Sequence, residues 1–288
     1  MAKQTNVFEP ILSLWIVHLA AKGRSANTLD CYHRDICDVF VAMKQIISRA
    51  PVLVDLCAIG QTEIDRITSH WSSAKASDTT IVRRFSALKS FARYLSTEHK
   101  MNCATVLSAV YPSAIRMFRP PIDPDSAEAL TISNEEAGDW IALRSRAVVH
   151  LAAASGLTTA EIVDLNQQDF SPMARILSVT RSHLRPRLVA ISSEAAGAIQ
   201  IYQEALPFPI AGSDPLFLTT WGTRLSVRSL QIAFRRRRQQ VGLAETAVPT
   251  ALRHSLGYTL ARSGASPEIV ARALGLSLTS VSRYFRPP

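Results

Sequence analysis

The sequence predicts a mainly α-helical protein of two domains, with one small β-sheet or hairpin in the second. Three observations carry that reading. Apolar residues recur at intervals of three and four along most of the chain, a proline-rich stretch without periodicity interrupts them near residue 120, and one pair of short extended runs flanks a basic turn. With 288 residues, 47% of them hydrophobic, the chain is long enough to fill two cores.

The first domain is expected over 1–111. Phe8, Ile11, Leu12, Trp15 and Leu19 form one stripe of an amphipathic helix that Gly23 ends. Ser25 or Asn27 can cap a second helix with Leu29, Tyr32, Ile36 and Phe40 on one side and Arg34 reaching outward. After Pro51, Thr62 to Trp71 predicts a short helix. A longer one, capped by Ser77 or Asp78, follows over Thr79 to Thr97 and buries Val82, Phe85, Leu88, Phe91 and Leu95. Its other face offers Arg83, Arg84, Lys89 and Arg93, either as a nucleic-acid edge or as an ordinary solvated face.

Pro112, Pro120, Pro121 and Pro124 mark 112–130 as an interdomain connection, and the second domain is expected over 131–288. Ser133 with Glu136 has capping-box spacing for a helix through Trp140 and Ile141, and further helices are expected at Ser145 to Ala153 and Thr159 to Leu165. Ile176 to Val179 and Leu188 to Ile191 predict a hairpin whose tip, Arg181 to Arg187, is strongly basic. Helices follow at Ser193 to Glu204, Ser226 to Gln240, Thr250 to Arg262 and Ser266 to Leu274. In the arginine run 235–238, successive side chains point around the helix, so only Arg228, Arg235 and Arg238 are expected to share a phosphate-facing side. The alternative for the run is a solubilising function.

The balance of 32 Lys and Arg against 23 Asp and Glu, a formal charge of +9, suits an acidic polymer as partner, though an ordinary basic globular protein has the same signature. Cys31, Cys37, Cys57 and Cys103 match no common zinc spacing and no secretory leader is recognised, so reduced thiols in a cytoplasmic, nucleoid-associated protein are expected, with no metal and no cofactor. Without about 18 consecutive uncharged apolar residues, no membrane span is expected.

Three boxes carry a family resemblance. Ser155-Gly-Leu-Thr-Thr-Ala-Glu-Ile162 resembles the T-G-L-R-x-x-E-L box of phage integrases and Xer-type tyrosine recombinases. Ala251-Leu-Arg-His-Ser255 resembles their H-x-L-R-H-T box, and Leu274-Gly275 through Arg283-Tyr284 resembles their closing L-G-H…Y. One box alone is weak; three in order and at the family's separations are specific, and the resemblance covers nearly the whole chain. It implies a SAM-like helical N-terminal domain clamping duplex DNA together with a catalytic-type C-terminal domain. It also implies a symmetric or paired DNA site and assembly with itself or with a competent recombinase.

In that family a tyrosine attacks a DNA phosphate to give a 3′-phosphotyrosyl intermediate. Arginines and histidine hold the phosphate oxygens, and a hairpin lysine protonates the leaving oxygen. Fixed cations serve this reaction because negative charge gathers on the equatorial oxygens. The resemblance leaves Arg253 and Tyr284 at matching positions, with His254 and the hairpin residues Arg181, Arg185 and Arg187 as further DNA contacts. The family's first arginine falls on Thr158, its lysine on Ser182, its first histidine on Thr250, and its last histidine or tryptophan on Leu276. The interval from Gly275 to Tyr284 is also one residue shorter than usual. Each lost donor costs about 10² to 10³ in rate, although such losses do not simply multiply. A degenerate duplex-DNA-binding member is therefore expected. The rival readings are a divergent active recombinase, in which His183 replaces the missing acid, and a helical interaction protein that binds no nucleic acid.

Overall fold

The computed structural model describes residues 8–113, 121–132, 139–181 and 184–285, and the side chains among them other than those of residues 181, 184 and 185. The chain divides into two compact units, residues 1–117 and 118–288.

The first unit consists, among its described residues, of helices α1 (Phe8–Ala21), α2 (Ala26–Ile47), α3 (Leu53–Cys57), α4 (Gln61–Ser73), α5 (Asp78–Glu98) and α6 (Ala104–Ser108). Of the paired cap candidates, the serine is the cap each time. Ser25 Oγ accepts from Thr28 N at 3.3 Å and Ser77 Oγ from Thr80 N at 3.4 Å, contacts worth about 1 kcal/mol each. Most of the expected stripes turn inward: Leu12, Trp15, Ile36, Phe85, Leu88 and Phe91 are fully buried in one core, whereas Val82, expected in the stripe of α5, is half-buried and Ile81 is buried in its place. Helices α3 and α6 were not expected, because five residues are too few to show a period. They are fastened by tertiary packing, including the buried pair Cys57 and Cys103, whose sulfurs lie 2.7 Å apart.

The second unit begins within the stretch read as a connection. Helix α7 (Pro124–Thr131) occupies it, because Asp123 Oδ1 accepts from Ser126 N at 2.8 Å and a proline in the first helical turn lacks only an N–H that would have been unpaired. Ile122 is fixed to this unit by both backbone groups, its N–H donating to Ser255 Oγ and its carbonyl accepting from it, each at 2.8 Å.

The Ser133 and Glu136 pair lies outside the described residues. The two helices expected after it are one helix, α8 (Trp140–Ser155), capped by Asp139. Ser145 does not break it, because its hydroxyl donates back to the Ile141 carbonyl at 2.9 Å. Around α8 pack α7, α9 (Thr159–Asp164), α10 (Ser193–Glu204), α11 (Val227–Gln240) and α12 (Pro249–Arg262).

A three-stranded antiparallel sheet, β1 (Phe170–Ser171), β2 (Ile176–Arg181) and β3 (Leu184–Ala190), lies between α9 and α10 in the chain. The strands run further toward the tip than expected, so Arg187 sits within β3, paired across from Val179. Alternation then places Arg187 on the same side as buried Val189, while Leu188 between them is exposed. Ser182 and His183 lie outside the described residues. The chain continues through α13 (Pro267–Leu274), α14 (Leu278–Val281) and a 3₁₀ turn at Ser282–Tyr284, which share a small core of Val270, Leu274, Val281 and Tyr284. Among the described residues no helix is long and apolar enough to cross a membrane.

Candidate phosphate site and basic surfaces

The site is built where the ends of α8, α9 and α13 meet α12. Helix α8 stops at Gly156, which has φ +60 and whose Cα faces Leu274 and Leu256 so closely that an added Cβ would lie 2.7 and 2.8 Å from them. Two residues on, Thr158 caps α9, and Glu161 completes a capping box: its Oε2 accepts from Thr158 N at 2.8 Å and from Thr158 Oγ1 at 2.9 Å. Thr158, the residue that the resemblance sets against the family's first arginine, thus serves its own helix.

Glu161, buried at 5% exposure, receives two arginines from other elements. Arg187 Nη1 from β3 donates to Oε1 at 2.7 Å, and Arg253 Nη1 from α12 lies 3.8 Å from Oε2. Burial pushes the Glu161 carboxyl upward, but the Arg187 and Thr158 donors outweigh it and hold the group below the usual carboxylate range. Arg253 is itself buried, and its guanidinium also donates to the carbonyls of Gly156 and Leu274. It therefore bridges the ends of α8 and α13. Sequence reasoning missed Glu161 as the partner of both arginines; the only local sign was its spacing of three from Thr158.

Tyr284 is also buried, its ring against the Cα of Gly257, where an added Cβ would come within 2.8 Å of the ring. Its hydroxyl lies 2.9 Å from His254 Nδ1, and the Tyr258 ring meets it edge-on at 5.3 Å. Burial raises the phenol above its ordinary value, with Arg283 and Arg253 opposing the rise and Tyr258 adding to it. If the imidazole carries its proton on Nε2, the phenol donates to Nδ1, which is a geometry for removing the proton of a nucleophile. Leu276 packs against the same small core, whereas Thr250 is exposed in the first turn of α12, lining an open cleft with Thr159, Gln231 and Arg235.

The remaining predicted contacts are divided between internal and exposed. In the first unit Arg34 is exposed, but Arg83 pairs with buried Asp35, Arg84 with Asp38 at 2.5 Å while lying 4.7 Å over Trp71, and Lys89 lies 4.2 Å over the Tyr111 ring. Burial raises the Asp35 carboxyl, against the pull of Arg83. On α11, Arg228 and Arg235 are exposed, but Arg238 does not join them: it is 7% exposed and donates to the Glu245 carbonyl at 2.9 Å. A spacing of three turned it toward the loop that follows the helix. Arg181 and Arg185 lie in β2 and β3, with side chains outside the described set.

The family model "Phage integrase family" matches residues 122–287, and "Phage integrase, N-terminal SAM-like domain" matches 12–99. The chain belongs to the phage integrase family.

This integrase-family chain is 28% identical over 274 residues to the tyrosine recombinase XerC of Rhizobium meliloti (strain 1021), covering 94% of the chain and 86% of the relative. To XerC of Methylobacterium sp. (strain 4-46) it is 29% identical over 267 residues, covering 90% and 82%. In fold it is similar to the Tn1549 transposon integrase, solved in complex with a circular intermediate DNA, at a TM-score of 0.74 with 16% identity and coverage of 96% and 95%. A lambda integrase dimer bound to a COC′ core site gives 0.69 with 17% identity, covering 97% and 95%. Within this chain, Thr158, Arg187 and Arg253 meet at Glu161, while His254 and Leu276 adjoin Tyr284.

Proposed function

We propose that this integrase-family chain binds duplex DNA and that, acting alone, it is deficient in strand cleavage. The observation that carries the second part is the state of the cations at Glu161. Arg253 is engaged by two carbonyls and shares Glu161 with Arg187, while Thr158 caps α9 where a further cation would stand. A phenol raised by burial must lose its proton as it attacks, and the phosphate must be made electrophilic by surrounding positive charge. Glu161 offsets part of what charge there is. DNA binding is supported by family membership, the formal charge of +9, and the exposed Arg34, Arg228 and Arg235.

A second reading, a divergent recombinase acting through Tyr284, is favoured by the 2.9 Å contact between the phenol and His254. One experiment separates the two. After footprinting has located a bound site, a nicked suicide substrate traps any 3′-phosphotyrosyl adduct by letting the leaving strand diffuse away. The expected result is no covalent band beyond that of Tyr284→Phe, with both proteins binding DNA alike and losing affinity steeply as salt rises. An adduct in the parent alone would establish the second reading. An adduct that needs an added recombinase would assign the missing groups to a partner.

A further inference from the structure

The arginine run of α11 is divided between two sides of the helix. Gln231, Arg235 and Arg238 line the open cleft beside Thr250. Ser229, Ile232, Ala233, Arg236 and Arg237, at intervals of three and four, line a separate cavity against α8 and the end of α7. Its volume is about 430 Å³, and neither Glu161 nor Tyr284 is in its lining. Sites for small organic molecules are commonly of this size, about 300 to 1,000 Å³.

The cavity walls are of two kinds. Leu130, Ala142, Val149 and Ile232 make them apolar, and Ile232 is left 41% exposed. Arg144, Arg146, Arg236 and Arg237 make them cationic, against Asp139 as the one acid in the lining among the described residues. Asp139 is committed to capping α8, accepting from Ile141 N at 2.9 Å. Two of the arginines are held in place. Arg237 donates to the carbonyls of Leu130 and Ala129 at 3.1 and 3.0 Å, and Arg144 donates to the Leu218 carbonyl while lying 5.5 Å over the Trp140 ring. Arg144, Arg146 and Arg236 form no ion pair among the described residues. Burial holds the Arg144 guanidinium below its ordinary value, against the pull of Tyr202 and Asp139. A half-buried cation without a counter-ion is costly, and an entering anion offsets that cost.

We propose that the cavity between α7, α8 and α11 binds a small organic anion, one acidic group carried on an aromatic or aliphatic body. The body lies on Leu130, Ala142, Val149 and Ile232. The acidic group meets Arg146 and Arg236, both exposed and one from each helix, while Arg144 adds charge from the wall. Each half of the ligand answers to one kind of wall. An inorganic anion or a DNA phosphate leaves the apolar walls wet, and a neutral molecule leaves the arginines uncompensated. The site stands whether or not the chain cleaves DNA, because it uses none of the residues around Glu161 and Tyr284.

The test uses the full chain and the fluorescent probe 8-anilinonaphthalene-1-sulfonate, an aromatic body with one fixed negative charge. It should bind saturably at one site with a Kd on the order of 10 to 100 µM, the range open to a ligand of about 20 heavy atoms. 4-Phenylbutyrate should displace it. 4-Phenylbutanol, which has the body without the charge, and acetate, which has the charge without the body, should each do so at least about tenfold less well. The double variant Arg146→Gln with Arg236→Gln should bind the probe about tenfold more weakly, and Ile232→Ser should also weaken it. These side chains are exposed, so the melting temperatures of the variants without probe should match that of the parent. Arg262→Gln removes an exposed charge outside the cavity and should leave probe binding unchanged. Absence of saturable binding, displacement by the alcohol as readily as by the acid, or full affinity in the double variant would overturn the site. An equal loss in Arg262→Gln would also overturn it, since net charge alone would then account for the binding.

Discussion

Replacing Glu161 by glutamine removes one charge without changing shape, and its cost follows from the geometry. The carboxylate is 4% exposed in its side chain and faces guanidiniums that are 13% and 10% exposed. Removing one member of such a buried network leaves uncompensated cations and costs about 3 to 5 kcal/mol. The amide oxygen that Glu161→Gln introduces can still accept from Thr158 N, which favours the lower end. At about 2 to 4 °C per kcal/mol for a unit of this size, the second unit should melt about 6 to 20 °C lower. Hydrogen exchange in α8 and α12 should accelerate by about 10² to 10⁴ where it reports opening of that unit.

The pH dependence has a definite sign. Because the folded Glu161 carboxyl titrates below the ordinary value, its contribution is full above the unfolded pKa of about 4.3 and is lost as pH falls through the folded value. Parent and Glu161→Gln stabilities should therefore differ at pH 7 and converge in acid. Circular dichroism melts at several pH values, with exchange localised by mass spectrometry, measure both effects. A difference under about 1 kcal/mol at pH 7, or one that does not narrow in acid, would refute the reasoning that Glu161 is the buried counter-charge.

Gly156→Ala should destabilise the second unit by about 2 to 4 kcal/mol, since φ +60 opposes a side chain and the new Cβ meets Leu274 and Leu256. It should also weaken DNA binding, because the Gly156 carbonyl anchors Arg253, and a melt together with a binding isotherm reads both. The thiols should fall into two classes toward a disulfide reagent. Cys31 and Cys37 are half-exposed and react in the native protein, Cys37 more slowly because burial raises its thiol, while Cys57, pushed up to about 12 mainly by burial, and buried Cys103 react only on unfolding. Four thiols of equal reactivity would contradict the packing of α3 against α6.

What the sequence determined by itself is what short-range chemistry decides. The stripes of Phe8 to Leu19 and of α5, the serine caps, and the glycine stops at Gly156 and Gly275 depend on residues three or four apart, so helix positions and the order of the three family boxes were legible. The tertiary structure decided which charges are spent inside the molecule. Arg83 finds Asp35 at a separation of 48 residues, Arg187 finds Glu161 at 26, and Arg253 finds the Gly156 carbonyl at 97. A basic residue on a helix or strand looks the same in sequence whether it faces solvent or a buried carboxylate. For that reason the sequence predicts Arg238 and Arg187 as outward contacts, and shows Glu161 as nothing more than part of a box. Long-range packing turned these side chains inward, because a buried charge is tolerated only where the fold brings it a partner.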